Sequence, residues 1–237
     1  MRVGSLSDVG KVRSSNEDAL GLDRDRGIFI VADGMGGHQA GEVASQQAVD
    51  SLLGSLRARQ PEEGAAEAMV RAITSANSEI AAAAQADKNL KGMGTTVVAA
   101  IVEGDRFTIA HVGDSRAYLV RDGGIRQLTE DHSMVAELVK AGVITPEAAE
   151  THPYRSAISR SLGQFKEVET DTSVHDFLPG DRVLLCTDGL TRFVKAEEIL
   201  ERIEAHEDPQ DASQALIDIA NERGGRDNIT VILIANA

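Results

Sequence analysis

Residues 94–120 read GTTVVAAIVEGDRFTIAHVGDSRAYLV. This stretch contains three runs rich in β-branched residues, which are Thr95 to Val102, Arg106 to Val112 and Arg116 to Val120. The pairs Gly104-Asp105 and Gly113-Asp114 separate the runs, and such pairs are typical of tight turns. The pattern therefore predicts a meander of antiparallel hairpins.

The flanking sequence adds further strands and separate blocks of helix. Apolar runs at Ile28 to Ala32, Val183 to Cys186 and Ile229 to Ile234 predict three more buried strands. Helical spacing of apolar residues predicts two helices, one with Val49, Leu52, Leu53 and Leu56 on a face and one with Met69, Ile73, Ala76 and Ile80. Antiparallel strands with segregated helices favour an α+β fold. We expect a four-layer α-β-β-α sandwich, in which helices flank two mainly antiparallel sheets.

Length and composition predict a single domain spanning residues 1–237. Of the 237 residues, 42% are hydrophobic, which is enough for one substantial core. The polar, mixed stretch within 132–164 is the best candidate for a flap. No apolar run is long enough to span a bilayer, and Met1 to Asp8 does not have the pattern of a signal peptide, so we expect a cytoplasmic protein.

Charge and cysteine content restrict the classes of partner and metal site. The formal net charge is −14 and there is no cluster of lysine and arginine, which argues against a nucleic-acid or membrane footprint. The acidic excess serves either solubility or a cation site. Because Cys186 is the only cysteine, an internal disulfide and a site built from several thiolates are excluded. No coiled-coil pattern is present, and we expect a monomer.

Four aspartates lie at strand ends or turns, far apart in sequence. Asp33 and Asp188 follow apolar strands, Asp227 precedes one, and Asp114 lies in an expected hairpin. Each alone is explained by a turn. Converging carboxylates, however, repel one another unless a cation or a proton intervenes, and oxygen-rich sites suit Mg²⁺ or Mn²⁺. Gly34 has no Cβ, so its carbonyl can turn toward a cation at Asp33.

Six short segments give these acids a specific context. They are Arg13-Ser-Ser-Asn-Glu-Asp18, Val31-Ala-Asp-Gly-Met-Gly-Gly-His38, Gly94-Thr-Thr96, Gly113-Asp-Ser-Arg116, Thr187-Asp-Gly189 and Gly225-Arg-Asp-Asn228. Their order and spacing over nearly the whole chain resemble bacterial protein phosphatase 2C domains. The resemblance implies a protein serine/threonine phosphatase that acts on phosphorylated proteins and uses water activated by two ions of Mg²⁺ or Mn²⁺.

The resemblance also implies metal-binding roles for particular residues. Asp33 would bridge both ions, and Asp188 and Asp227 would complete the shell of the first. The Gly34 carbonyl would serve the second ion. Asp18, together with Glu17, would hold that ion directly or through water; a helix start or turn is the alternative for this segment.

Two further residues acquire roles from the resemblance. Arg13 would bind the substrate phosphate, and a solvated basic residue beside Lys11 is its alternative. Asp114 would share a third, weaker metal site with Asp188, or would be only a hairpin residue.

The sequence departs from the family pattern at two places. Several relatives have an acid four positions after the equivalent of Asp188, where this chain has Arg192, which puts the third metal site in doubt. Many eukaryotic relatives have histidine directly after Asp-Gly, where this chain has Met35. His38 is therefore a candidate general acid, and capping of the following helix is its alternative.

Rival hypotheses come from other classes of protein. Cys186 and Arg192 have the Cys-x₅-Arg spacing of cysteine-dependent phosphatases, although Asp188 would place a carboxylate inside an anion-binding loop. A second rival is a non-catalytic module that binds phosphoproteins. A third is a nucleotide loop at Gly34 to Gly37, whose spacing matches neither the dinucleotide nor the P-loop pattern and which no lysine follows.

Overall fold

A computed structural model describes residues 1–36, 40–60 and 62–236, and within them eleven strands form two sheets with every pairing antiparallel. The first sheet contains, in spatial order, β1 (Arg2–Asp8), β11 (Ile229–Ala235), β10 (Arg182–Cys186), β7 (Arg116–Arg121) and β8 (Gly124–Gln127). The second contains β2 (Asp18–Asp23), β3 (Ile28–Met35), β5 (Val97–Glu103), β6 (Arg106–Val112) and β9 (Asp171–Asp176), while the short β4 (Gly94–Thr95) pairs with the end of β3.

Helices cover the outer face of each sheet. Against the second sheet lie α1 (Ala40–Arg57) and α2 (Ala65–Ala86). Against the first lie α5 (Asp188–Thr191), α6 (Ala196–Glu204) and α7 (Pro209–Glu222). The expected α-β-β-α sandwich is confirmed. None of the described helices is both long and apolar enough to cross a membrane.

Alternation along β3 shows how one strand contributes to two cores. Ile28 and Ile30 pack against α1 and α2, whereas Phe29 and Val31 point the other way, toward the first sheet. Strand side chains alternate between faces, so every second residue enters the layer between the sheets. That layer also includes Ile232 of β11, and its central apolar residues are buried.

Of the two hairpins in the predicted meander, the first is confirmed and the second is wrong. β5 and β6 form a hairpin through Gly104, but Gly113 and Asp114 do not join β6 to β7 as one. They carry the chain from the second sheet to the first. Gly113 has φ of +107° and lies against Thr96, where a Cβ would overlap the threonine side chain, so the crossing requires glycine. Asp114 is consequently placed between the sheets.

The 132–164 segment is attached to the sandwich at both ends. The His132 N–H donates to the Gly113 carbonyl at 3.0 Å, and Leu162 exchanges two backbone hydrogen bonds with Thr95. Between these points lie α3 (Met134–Lys140) and α4 (Pro146–Glu150). Val135 is the only buried residue of α3, and none of the five residues of α4 is buried. The middle of the segment therefore adds little to the core.

We predict that Phe29→Ala lowers the free energy of unfolding by about 3–5 kcal/mol, because it opens a cavity in the layer between the sheets. Phe29 is fully buried. Val174→Ala is the matched control: its side chain is 56% exposed on β9, so its effect should stay within about 0.5 kcal/mol. Urea unfolding followed by circular dichroism measures both. Equal losses in the two variants would contradict the assigned packing.

Candidate active site

A pocket of about 440 Å³ opens where strand ends of both sheets meet. Its lining includes the carboxylates of Glu17, Asp33, Asp188 and Asp227 and the guanidinium groups of Arg13 and Arg192. Ser156, Ile158 and Gln164 of the 132–164 segment also line it. The structure thus brings together acids that are separated by up to about 210 residues in sequence.

Asp33 is held in position by β3 and by two threonines. Thr95 is the last residue of β4, and Thr96 follows it. The Asp33 N–H donates to Thr96 Oγ1 at 3.1 Å, and the Asp33 carbonyl accepts from the Thr96 N–H at 2.9 Å and from Thr95 Oγ1 at 2.9 Å. These bonds satisfy the backbone of Asp33, so its carboxylate is left to face the pocket. Asp18 is its direct partner across the β2–β3 pairing.

Asp18 joins the two sheets. Its Oδ2 accepts hydrogen bonds from Thr230 Oγ1 at 2.7 Å and Thr187 Oγ1 at 3.0 Å, both of which belong to the first sheet or its connection to α5. Thr187 Oγ1 in turn accepts the Thr230 N–H at 3.0 Å. Each hydroxyl has one proton, which it donates to Asp18. The orientation of this carboxylate is therefore fixed.

Asp188 is the first residue of α5 and is buried. The turn that places it depends on Gly189, where a Cβ would overlap the carbonyl of Asn228. Because only glycine permits this approach, α5 starts directly beside the beginning of β11. Asp188 and Asp227 are thereby neighbours, and after burial the charge of Asp227 contributes to the raised pKa of Asp188.

Asp227 lies beside Arg13 and Asn228. Arg13 Nη2 is 2.9 Å from Asp227 Oδ1 and 3.1 Å from Oδ2. Asn228 donates from Nδ2 to the carbonyls of Val9 and Ser15, and its Oδ1 accepts the Glu17 N–H at 2.8 Å. Asn228 thus fixes the loop that carries both Arg13 and Glu17.

Gly34 lies in a narrow gap between Glu17 and α1. Its N–H donates to the Glu17 carbonyl at 3.1 Å, and a Cβ at Gly34 would overlap the carbonyls of Glu17 and Gly41. Ser45 Oγ also donates to the Glu17 carbonyl, at 2.6 Å. Burial, followed by repulsion from Asp227, raises the pKa of Glu17, although Arg13 opposes the shift.

The electrostatics of the cluster favour a bound cation. Burial, reinforced by neighbouring carboxylates, raises the pKa of Asp18 to about 7, that of Asp33 well above its usual range, and that of Asp188 as well. Deprotonated carboxylates crowded in this way repel one another, and a divalent cation relieves both the repulsion and the desolvation. The donors are all oxygens, so they fit Mg²⁺ or Mn²⁺.

Asp114 and Arg192 lie at the edge of this cluster. Asp114 is buried, and within the described part of the chain its Oδ1 has no hydrogen-bond partner. Arg192 Nη2 lies 3.9 Å from Asp114 Oδ2 and also contacts the carboxylate of Asp188. Burial, and then repulsion from Asp188, raises the pKa of Asp114 to about 7.

Cys186 is poorly placed to act as a nucleophile. It is fully buried in β10 within the core beneath α5 to α7. Burial raises the pKa of its thiol to about 12, whereas a reactive cysteine needs a lowered pKa and exposure. Arg192 is engaged by two carboxylates rather than by an anion-binding loop. This geometry does not support a cysteine-dependent phosphatase.

His38, the candidate general acid, lies outside the described residues.

A second polar cluster, formed by His111, His132 and Asp171, contacts Gly113 through His132. The Gly113 N–H donates to His132 Nδ1 at 3.1 Å, which places the proton of the neutral ring on Nε2, 3.3 Å from Asp171 Oδ2. Arg160 lies 3.2 Å from Asp171 Oδ1. A protonated Nε2 and a guanidinium both disfavour a cation here, so this cluster serves to attach the 132–164 segment.

Several supporting residues were not identified from the sequence. Thr96 and Thr187 stand inside quoted motifs without an assigned role, and Thr230 lies in a strand expected to be merely apolar. Only the pairing of the strands shows which carboxylate each one contacts. Asn228 also stands inside a quoted motif, directly after Asp227, and had no assigned role either.

Comparison with known proteins places this architecture in a family. Residues 11–223 match the family described as Protein phosphatase 2C. The chain is 42% identical over 234 residues to the serine/threonine phosphatase Stp of Listeria monocytogenes, a match that covers 96% of this chain and 93% of that protein.

Solved structures agree with the sequence comparison. The serine/threonine phosphatase PstP of Mycobacterium tuberculosis superposes with a TM-score of 0.91 at 41% identity, covering 98% of this chain and 97% of that one. The catalytic domain of PstP in complex with two manganese ions gives a TM-score of 0.88 at 39% identity, covering 98% and 96%. This chain belongs to the protein phosphatase 2C family.

Proposed function

We propose that this chain is a metal-dependent protein serine/threonine phosphatase that hydrolyses phosphoserine and phosphothreonine in proteins. The observation that carries the proposal is the convergence of Asp33, Asp188 and Asp227 with Arg13 at one pocket. A carboxylate cluster holds cations, and an adjacent guanidinium binds a phosphate. The two together are what hydrolysis of a phosphate ester requires.

The carboxylate set suits two ions of Mg²⁺ or Mn²⁺, as in the related structure that contains two manganese ions. We infer that Asp33 contributes to both sites, that Asp188 and Asp227 complete the first, and that Asp18, Glu17 and the Gly34 carbonyl serve the second. When bound, the ions would supply Lewis-acid activation of water for attack on phosphorus. Thr187 and Thr230 keep Asp18 oriented throughout.

Arg13 is proposed to orient the phosphate. Its side chain is 48% exposed at the pocket, and its contacts with Asp227 use Nη2 alone. A guanidinium has five N–H donors, so Nε and Nη1 can grip phosphate oxygens. Protonation of the leaving oxygen is assigned, as a proposal, to His38 or to water.

Further aspects of the function are inferences from composition and position. Phosphorylated proteins are the substrates, and we infer a monomeric, cytoplasmic enzyme that binds neither nucleic acid nor membranes, in keeping with the net charge of −14. The 132–164 segment contributes Ser156, Ile158 and Gln164 to the pocket. We propose that it acts as a flap that selects substrates.

We predict that Asp33→Asn lowers kcat by about 10³-fold or more, because it removes the charge on which both cations depend. Hydrolysis of p-nitrophenyl phosphate and of a phosphothreonine peptide, with and without Mn²⁺ after chelation, measures the loss. Asp122→Asn, at an exposed turn position, is the control and should match the wild type. Wild-type protein that binds Mn²⁺ yet hydrolyses neither substrate would favour a binding module instead.

Arg13→Lys should reduce kcat/KM by about 10- to 100-fold, since a lysine retains the charge but loses the paired hydrogen bonds. The inhibition constant for inorganic phosphate should rise in parallel. Arg226→Lys is the matched control. Arg226 directly precedes Asp227 in sequence, is exposed, and is not among the residues that line the pocket. An unchanged inhibition constant in Arg13→Lys would remove Arg13 from the phosphate site.

Cys186→Ala should retain hydrolytic activity with Mn²⁺. The thiol pKa of about 12 also predicts that iodoacetamide at pH 8 does not inactivate the folded wild-type enzyme. Activity assays before and after alkylation, with melting curves to show that the variant is folded, test both statements. A folded Cys186→Ala protein without activity would restore the cysteine mechanism.

A further inference from the structure

Arg192 is held against the metal-binding aspartates by the local chain geometry. Asp188 opens α5, and the Arg192 N–H donates to the Asp188 carbonyl at 2.9 Å, which places the two residues one helical turn apart. Side chains at positions i and i+4 lie on the same helix face. The guanidinium is therefore directed at the Asp188 carboxylate from its own element, and the side chains are in contact.

The guanidinium also lies close to a second acid, from the crossing between the sheets. Asp114 Oδ2 is 3.9 Å from Arg192 Nη2, and the side chains of Asp114 and Asp188 are only 7% and 10% exposed. This is not a surface ion pair, because both acceptors are buried. Arg116, another guanidinium that influences Asp188, is already bound to Asp131 through two hydrogen bonds of 2.8 and 2.7 Å.

The site between Asp114 and Asp188 therefore does not fit a third divalent cation. A metal ion there would need both carboxylates, and it would be repelled by a guanidinium that is already in contact with one of them. Asp114 Oδ1 has no hydrogen-bond partner among the described residues. When deprotonated, the two carboxylates carry more negative charge than one guanidinium balances. The single positive charge of Arg192 offsets part of it.

We propose that Arg192 is a tethered cation that takes the place of a third metal ion between Asp114 and Asp188. The enzyme accordingly binds two divalent ions and has no separate, weaker ion site. Asp188 then has one oxygen engaged by Arg192 and the other available to the first metal site. This inference rests on the proposed function, since it assumes that Asp188 is a metal ligand.

The test is the number of Mn²⁺ ions bound per chain, measured by equilibrium dialysis up to millimolar Mn²⁺. Wild-type protein should bind two. Arg192→Met, which keeps a flexible unbranched side chain but removes the charge, should bind three, and Arg192→Met combined with Asp114→Asn should return to two. Arg106→Met is the matched control at an exposed arginine on β6, and it should stay at two.

The outcomes separate this inference from the proposed function. Three ions in the wild type, or two in Arg192→Met, would overturn the role of Arg192, whether or not the enzyme is active. Wild-type protein that binds no Mn²⁺ and hydrolyses no phosphate ester would instead refute the proposed function. A rise in the inhibition constant for phosphate in Arg192→Met without a third ion would make Arg192 a phosphate ligand. Should Arg192→Met fail to fold, Arg192→Gln provides the same comparison.

Discussion

Repulsion among buried carboxylates is the interaction on which the rest of this structure depends. Four aspartates share one region between the sheets, and each has a raised pKa because burial disfavours the charged form and like charges are near. The described ion pairs place guanidinium groups at the rim, on Asp227, Asp188 and Asp114. Asp18 and Asp33, at the centre, have no basic partner among the described residues. The centre is thus where cations contribute most.

The sandwich supplies this cluster because it has two sheets. Asp33 lies near the end of a strand of the second sheet, whereas Asp188 and Asp227 flank strands of the first, so neither sheet alone holds the whole set. Asp18 fastens the two sheets together through Thr187 and Thr230. Any shift between the sheets would therefore alter the separation of the carboxylates. Packing of the apolar layer between the sheets therefore determines the geometry of the site, and a rigid core keeps that geometry constant.

Local features were predictable from the sequence, but pairings between distant segments were not. Asp208 caps α7 and Pro209 begins it, and an aspartate followed by proline is a pattern typical of a helix start. By contrast, the Gly113-Asp114 turn has the composition of a hairpin turn. It connects two different sheets because β6 belongs to the second sheet and β7 to the first. The acids at strand ends were noted from their positions and received their roles from a family resemblance, whereas the partners of Arg192 depend on the distance between α5 and that crossing.

The two arginines of the pocket show how an acidic protein can bind an anion. With a net charge of −14, long-range attraction of a phosphate is unfavourable, so positive charge has to be fixed locally. Arg192 contacts two buried acids, and its charge is largely neutralised by them. Arg13 contacts one acid through one nitrogen and is half exposed. Both arginines make these contacts through Nη2, but Arg13 contacts one acid and is 48% exposed, whereas Arg192 contacts two and is 35% exposed. Phosphate binding is therefore assigned to Arg13 and charge compensation to Arg192.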